Sequence, residues 1–187
     1  MLRLLRESVA ASPVVEKGGY HYIVNPVTDG VPRMRPELLG EIVEALISAG
    51  DFSGCDCIVA PESMGIPLAV PLSLRLGIPY VIVRKREYGL PGEVSVEQHT
   101  GYSDSRMYVN GLSEGERVVV VDDVVSTGGT MSSLLAAIVE GCGCEVTEAI
   151  VVFDKEGGAD HVRETTGIPV KSLLSLHYVE GRGYEPV

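Results

Sequence analysis

The run Val118-Val-Val-Val-Asp122-Asp123-Val-Val-Ser126-Thr127-Gly128-Gly129-Thr130 constrains the fold of this 187-residue chain more than any other stretch. Four consecutive valines read as a strand buried on both faces, because neither face carries a polar side chain. The small residues that follow form a tight turn. Met131, Leu134, Leu135, Ile138 and Val139 then recur at helical spacing as far as Gly141. A two-sided apolar strand feeding a helix is half of a right-handed, parallel βαβ unit.

The same signature repeats along the chain. Leu38, Leu39, Ile42, Val43, Leu46 and Ile47 share one helical face, with Pro36 in the first turn and Gly50 as the stop. Cys57-Ile-Val-Ala60 is a short apolar strand closed by Pro61, and a helix follows from Gly65 to Gly77. Tyr80-Val-Ile-Val83 and Glu148-Ala-Ile-Val-Val-Phe153 read as further strands. The expected class is α/β, a twisted, mainly parallel sheet with helices on both faces, in a single domain over 1–187. Its core spans about 36–153, and segments of about 1–35 and 154–187 form a small hood lobe. The hood contains the strand Tyr20-His-Tyr-Ile-Val24, a short polar helix and the stretch Val170 to Leu176. Between strands, the segment of about 86–107 has little burial pattern and reads as a mobile lid hinged at Gly89, Gly92 and Gly101.

Charge excludes several functions. With 15 basic and 26 acidic residues the net charge is −11, so no global positive field attracts nucleic acid or anionic lipid. Any anion must be held by local groups. Apolar runs are strand-sized, far below the roughly 20 residues of a membrane span, and the opening MLRLLRESVAAS mixes Arg and Glu into its apolar residues. A cytoplasmic protein without membrane or nucleic-acid partners is expected. Cys55, Cys57, Cys142 and Cys144 form two Cys-x-Cys pairs without zinc-knuckle spacing, and read as reduced, partly buried fillers.

Ligands of open parallel sheets collect beyond the carboxyl ends of the strands. The strongest candidate there is the turn Ser126 to Thr130, whose small residues let backbone N–H groups, hydroxyls and a helix N-terminus converge on one monophosphate. No Gly-Lys-Ser/Thr completes a Walker A motif, and no G-x-G-x-x-G follows a strand.

VVVVDDVVSTGGT resembles the phosphoribosyl pyrophosphate signature of the type I phosphoribosyltransferases. The resemblance implies that Asp122 and Asp123 hold the ribose hydroxyls, near the cationic character that develops at C1, and that Ser126, Thr127, Gly128, Gly129 and Thr130 bind the 5′-phosphate. It also implies that the loop Glu62-Ser63-Met64-Gly65 receives pyrophosphate, with Arg84 and Lys85 supplying positive charge and Lys85 acting in catalysis. Adenine-type members carry Arg where this chain has Met64. Magnesium is the implied cofactor, held mainly by phosphoribosyl pyrophosphate, with Asp122 or Asp123 reaching it through water and no direct protein ligand.

For the base, the resemblance assigns Lys155 to the exocyclic O6 of a 6-oxopurine and adds Phe153. Val124 either faces a stacked base or simply packs. Many hypoxanthine-guanine members have a basic aspartate at the position of Ser126, which leaves the general base open between lid residues Glu97 and His99. Ile23-Val-Asn-Pro26-Val-Thr-Asp-Gly30, Glu62 to Gly65 and Phe153 to Lys155 are together similar to archaeal hypoxanthine phosphoribosyltransferases. The expectation is a homodimeric purine-salvage enzyme acting on hypoxanthine and guanine. Adenine is the alternative substrate, from the lid sequence RKREYGLPGEVSVE, and a non-catalytic regulator of the same fold is the rival class.

Overall fold

The computed structural model describes residues 2–100 and 103–187, with the side chains of 97–100 and 103–105 undescribed. The chain starts with α1 (Arg3–Ala10), the hairpin β1 (Val14–Lys17) and β2 (Tyr20–Ile23), and the single-turn α2 (Pro26–Asp29). α3 (Pro36–Ala49), β3 (Cys57–Pro61), α4 (Ile66–Leu76) and β4 (Tyr80–Val83) follow in the expected places. Then come β5 (Val94–Thr100), β6 (Ser103–Val109), β7 (Arg117–Val125) and α5 (Gly129–Ala136), which continues as a π-helical turn over Ala137–Gly141. β8 (Glu145–Lys155), α6 (Gly158–Thr166), β9 (Val170–Val179) and β10 (Gly183–Pro186) complete the chain.

Six strands form the central sheet in the order β10-β9-β8-β7-β3-β4. All neighbours are parallel except β10, which runs antiparallel to β9. Alternate residues of the inner strands enter opposite cores, as strand geometry requires. Ile58, Ala60, Val119, Val121, Ile150 and Val152 join Leu5, Leu38, Ile42, Leu46, Leu68 and Leu72 on one face. Cys57, Val59, Val118, Val120, Ala149 and Val151 join Met131, Leu134, Leu135, Ile138 and Val162 on the other. The α/β reading therefore holds, with helices on both faces.

The sequence reading is corrected at several boundaries. β7 continues past Val121 through the acids, because pairing with β8 persists to Val125 opposite Asp154. Asp122 and Asp123 are thus strand residues. β8 likewise runs to Lys155, and β9 adds to it in parallel from Ala149–Val170 onward. The stretch Val170 to Leu176, expected in the hood, is therefore part of the central sheet, and only its continuation turns back through β10. α1 was not expected, although Leu5 and Val9 supply its buried stripe.

The segment expected as a mobile lid with little burial pattern contains an antiparallel ribbon, β5 with β6, in register from Val94–Val109 to Thr100–Ser103. Its base is core: Val96, Met107 and Val109 are buried against the α5 face, and Arg84 bridges Tyr108. Alternate burial was present in the sequence but diluted by polar residues at the ribbon's far end. Glu97 and His99 have undescribed side chains, and Gly101 lies outside the described residues.

The cysteines are free, Cys57 and Cys144 buried, Cys55 and Cys142 half-buried. Loss of water pushes the Cys57 and Cys142 thiols up to about 11. No helix among the described residues is long and apolar enough to cross a membrane.

Candidate active site

The carboxyl ends of β3, β4, β7 and β8 bring the sequence-predicted residues into one region. Asp123 is only 9% exposed, and its backbone N–H donates to Asp122 Oδ1 at 2.9 Å. Both carboxyls are pushed above the usual range, first by burial, and Asp123 further by its negative neighbour. The two carboxyls interact directly, so they titrate as a pair rather than independently. Lys85 lies close enough to favour the ionised form of Asp122, so the basic residue after β4 and the acid of β7 face each other across the site.

Glu62 organises the basic segment. Its carboxylate accepts the Lys85 backbone N–H at 2.7 Å and pairs with Arg84 Nε at 2.9 Å. The Glu62–Ser63 peptide is cis. Ser63 is exposed, and Met64 approaches Gly30 at the end of α2. Gly65 is required by proximity: a Cβ there would stand 2.6 Å from Pro61 O and 3.0 Å from Val121 O. Any side chain would push the loop off the end of β7.

Beyond the acids, Gly128 has φ +85° and caps α5, leaving the first N–H groups of the helix without intrahelical acceptors. A cavity of about 200 Å³ opens there, lined by Asp122, Val124, Ser126, Thr127, Gly128 and Thr130 among others. It matches a single phosphate held by backbone donors. α6 closes its outer wall so tightly that a Cβ on Gly158 would collide with Ser126 O.

A second cavity of about 330 Å³ shares Asp123, Val124 and Ser126 with this region and is otherwise walled by Tyr20, Tyr22, Ile23, Thr28, Asp29 and Lys155. Lys155 is 5% exposed, and its ammonium lies 5.0 Å from the Tyr20 ring centroid and 4.5 Å from that of Tyr184. Burial lowers its pKa, an effect opposed by Glu156. Phe153 lines neither cavity: its side chain is fully buried in the core on the α3 face. That residue is a core residue, contrary to its expected place at the base.

Sequence reasoning missed the aromatic wall. Tyr20 Oη lies 2.6 Å from Ser126 Oγ and 3.3 Å from Glu156 Oε1. Tyr184 Oη donates to His21 O at 2.7 Å, and His21 stacks on Tyr178 at 3.8 Å. The hairpin is anchored by Asn25, which is fully buried; its side chain accepts from Val27 N and donates to Ser8 and Ser12. Of these, only the Tyr-x-Tyr of β2 and the Asn-Pro of α2 left a local signal. The rest depends on chain closure.

A mainly parallel α/β sheet with this cluster at its strand ends defines the type I phosphoribosyltransferase fold. The chain belongs to the phosphoribosyl transferase domain family, whose model matches residues 37–171. It is 52% identical over 182 residues, 97% of this chain and 93% of the relative, to a hypoxanthine/guanine phosphoribosyltransferase of Methanothermobacter thermautotrophicus. A protein of the same description from Methanothermobacter marburgensis is 50% identical, covering 97% and 95%. Among solved structures, adenine phosphoribosyltransferase of Rhodothermus marinus superposes with a TM-score of 0.75 at 26% identity, covering 94% of this chain and 98% of its own.

Proposed function

We propose that this protein transfers the 5-phosphoribosyl group of phosphoribosyl pyrophosphate to hypoxanthine, and also to guanine, giving the nucleotide and pyrophosphate in purine salvage. The observation that carries the base assignment is Lys155, a residue 5% exposed in the wall of the second cavity, with its ammonium beside the Tyr20 and Tyr184 rings. A 6-oxo group offers that ammonium an acceptor; a 6-amino group would oppose it. The relatives' names agree with this choice.

In this reading the cavity at Ser126 to Thr130 takes the 5′-phosphate, and the ribose diol donates to Asp122 and Asp123, favouring their ionised form. Their negative charge then stabilises the cationic character at C1 as the bond to pyrophosphate breaks. Lys85, Arg84 and the backbone of Ser63 to Gly65 face the departing pyrophosphate, and the β5–β6 ribbon covers the site from above. The division into core, hood and lid remains part of this proposal, with β9 assigned to the core.

The donor set suits magnesium. No group of three or more His, Cys, Asp or Glu among the described residues forms a protein metal cage, and Asp122 and Asp123 offer hard oxygens to a hydrated ion otherwise held by phosphates. When bound, it neutralises charge on the pyrophosphate.

A homodimer is supported by apolar surface along one edge, where Leu74 is 82% exposed with Val70 and Tyr80 beside it on α4 and β4. Light scattering should give twice the chain mass, and Leu74→Glu should shift it toward the monomer; a monomeric parent would remove this assignment. The activity itself is tested with purified chain, magnesium, phosphoribosyl pyrophosphate and a panel of bases. Hypoxanthine and guanine should react faster than adenine, and a clear preference for adenine or orotate would overturn the base assignment.

A further inference from the structure

When a neutral purine bonds to C1 of ribose through a ring nitrogen, the ring must lose a proton, and no group in the reading above accepts it. One chain of hydroxyls leads out of the base cavity. Ser126 lines both cavities, so its hydroxyl sits between sugar phosphate and base. Tyr20 Oη connects it to Glu156 over 2.6 and 3.3 Å.

The direction of these bonds is fixed by chemistry. An ionised carboxylate only accepts, so the single Tyr20 proton points to Glu156 and Ser126 donates to Tyr20. A lone pair of Ser126 Oγ is thereby left for a donor in the cavity. Glu156 carries a second mark: it is the one non-glycine residue among those described with positive φ, at 60°. Glutamate is not a residue that favours this backbone region, and such departures gather where a side chain must be aimed.

We propose that Ser126, Tyr20 and Glu156 form the proton exit for the transferase reaction, a reading that rests on the activity proposed above. As the ring nitrogen forms its bond to C1, the C1–oxygen bond breaks and its electron pair leaves with pyrophosphate. The ring N–H proton passes to Ser126 Oγ, the Ser126 proton to Tyr20, and the Tyr20 proton to the Glu156 carboxylate. Ser126 touches the base and is the catalytic member; Tyr20 and Glu156 act through it.

The test compares wild type, Tyr20→Phe and Glu156→Gln on hypoxanthine and on 8-azahypoxanthine, whose extra ring nitrogen makes its N–H more acidic. Tyr20→Phe keeps the ring beside Lys155 and deletes only the hydroxyl. Glu156 is exposed, so its replacement leaves packing intact. Each variant should lose about 100-fold in kcat on hypoxanthine, the low end for general acid–base catalysis. The loss should shrink several-fold on the aza base at a pH where that base is already an anion. The double variant should be no worse than the weaker single one, since both cut one chain.

Glu156→Gln removes the proton acceptor at the end of the chain and no other charged group of the cavity. The titratable and charged groups facing Glu156 and its cavity are Tyr20 and Tyr22 of β2, Asp29 of α2, Asp123 of β7, Lys155 of β8 and Tyr184 of β10; these stay in place in that variant. Equal losses on both bases, or full activity on hypoxanthine, would overturn the relay while leaving the transferase reading standing. A wild-type chain inert toward both bases would overturn that reading, and the relay with it.

Discussion

Asp123→Asn should give a protein that melts higher and turns over roughly 100-fold or more slowly. The carboxyl is nearly buried beside Asp122, and burial followed by that neighbour raises its pKa. A raised folded-state pKa means that the folded chain keeps a proton which the unfolded chain releases. Stability contributed by this proton is full below the ordinary carboxylate value near 4 and declines as pH rises through the window above it.

Asparagine has the same shape and no such window. The gain in stability should therefore be absent near pH 4, grow toward neutral pH, and exceed about 1.4 kcal/mol, the equivalent of one unit of pKa. Thermal unfolding across that range reads the sign directly. Kinetics read the other half, because an amide cannot offer negative charge to the developing cation at C1, and losing such a preorganised group costs about 10²- to 10³-fold. A variant with wild-type rate would exclude the ribose contact. One with an unchanged stability profile would show that the pair holds no proton.

Lys155→Met should change which base is preferred. Methionine fills the space between the Tyr20 and Tyr184 rings with a stem of similar length, so packing survives. Burial already lowers the lysine pKa, and removing the charge removes that desolvation cost; the melting temperature should not fall. The hydrogen bond to O6 is lost. At about 1.5 to 3 kcal/mol for a charged donor, kcat/KM for hypoxanthine should drop roughly 10- to 150-fold. Adenine, which presents its own donor at that position, should gain relative to hypoxanthine. Equal losses for both bases would mean that the cavity wall reads the 6-position through other groups.

The two substitutions probe parts of the site with different origins in the sequence. Asp122, Asp123 and the turn Ser126 to Thr130 are contiguous, and their neighbours are apolar or small. Local rules suffice there: a valine run makes a buried strand, small residues make the turn, and strand direction sets which end collects ligand. Lys85 was legible for the same reason, as a basic residue at the end of a strand in an acidic chain.

The base cavity was legible only at Lys155 and Val124. Tyr20 meets Ser126 across 106 residues, and Tyr184 meets His21 across 163. No periodicity links such positions, because a period reports which face of its own element a residue occupies and not which distant element will cover it. Phe153 illustrates the reverse error, since its closeness to Lys155 in sequence suggested a shared cavity, whereas packing buries its side chain fully in the core on the α3 face. The polar outer half of the β5–β6 ribbon similarly concealed its buried base.

By itself, then, the sequence determined the α/β class, the parallel strands and the phosphate-end chemistry, all of which follow from short-range patterns of apolar, small and charged residues. Only the tertiary structure decided the aromatic walls around Lys155, the raised pKa values of Asp122 and Asp123, and the aim of Glu156. Each of these is set by burial and by charges that distant segments bring together, and both are properties of the closed fold.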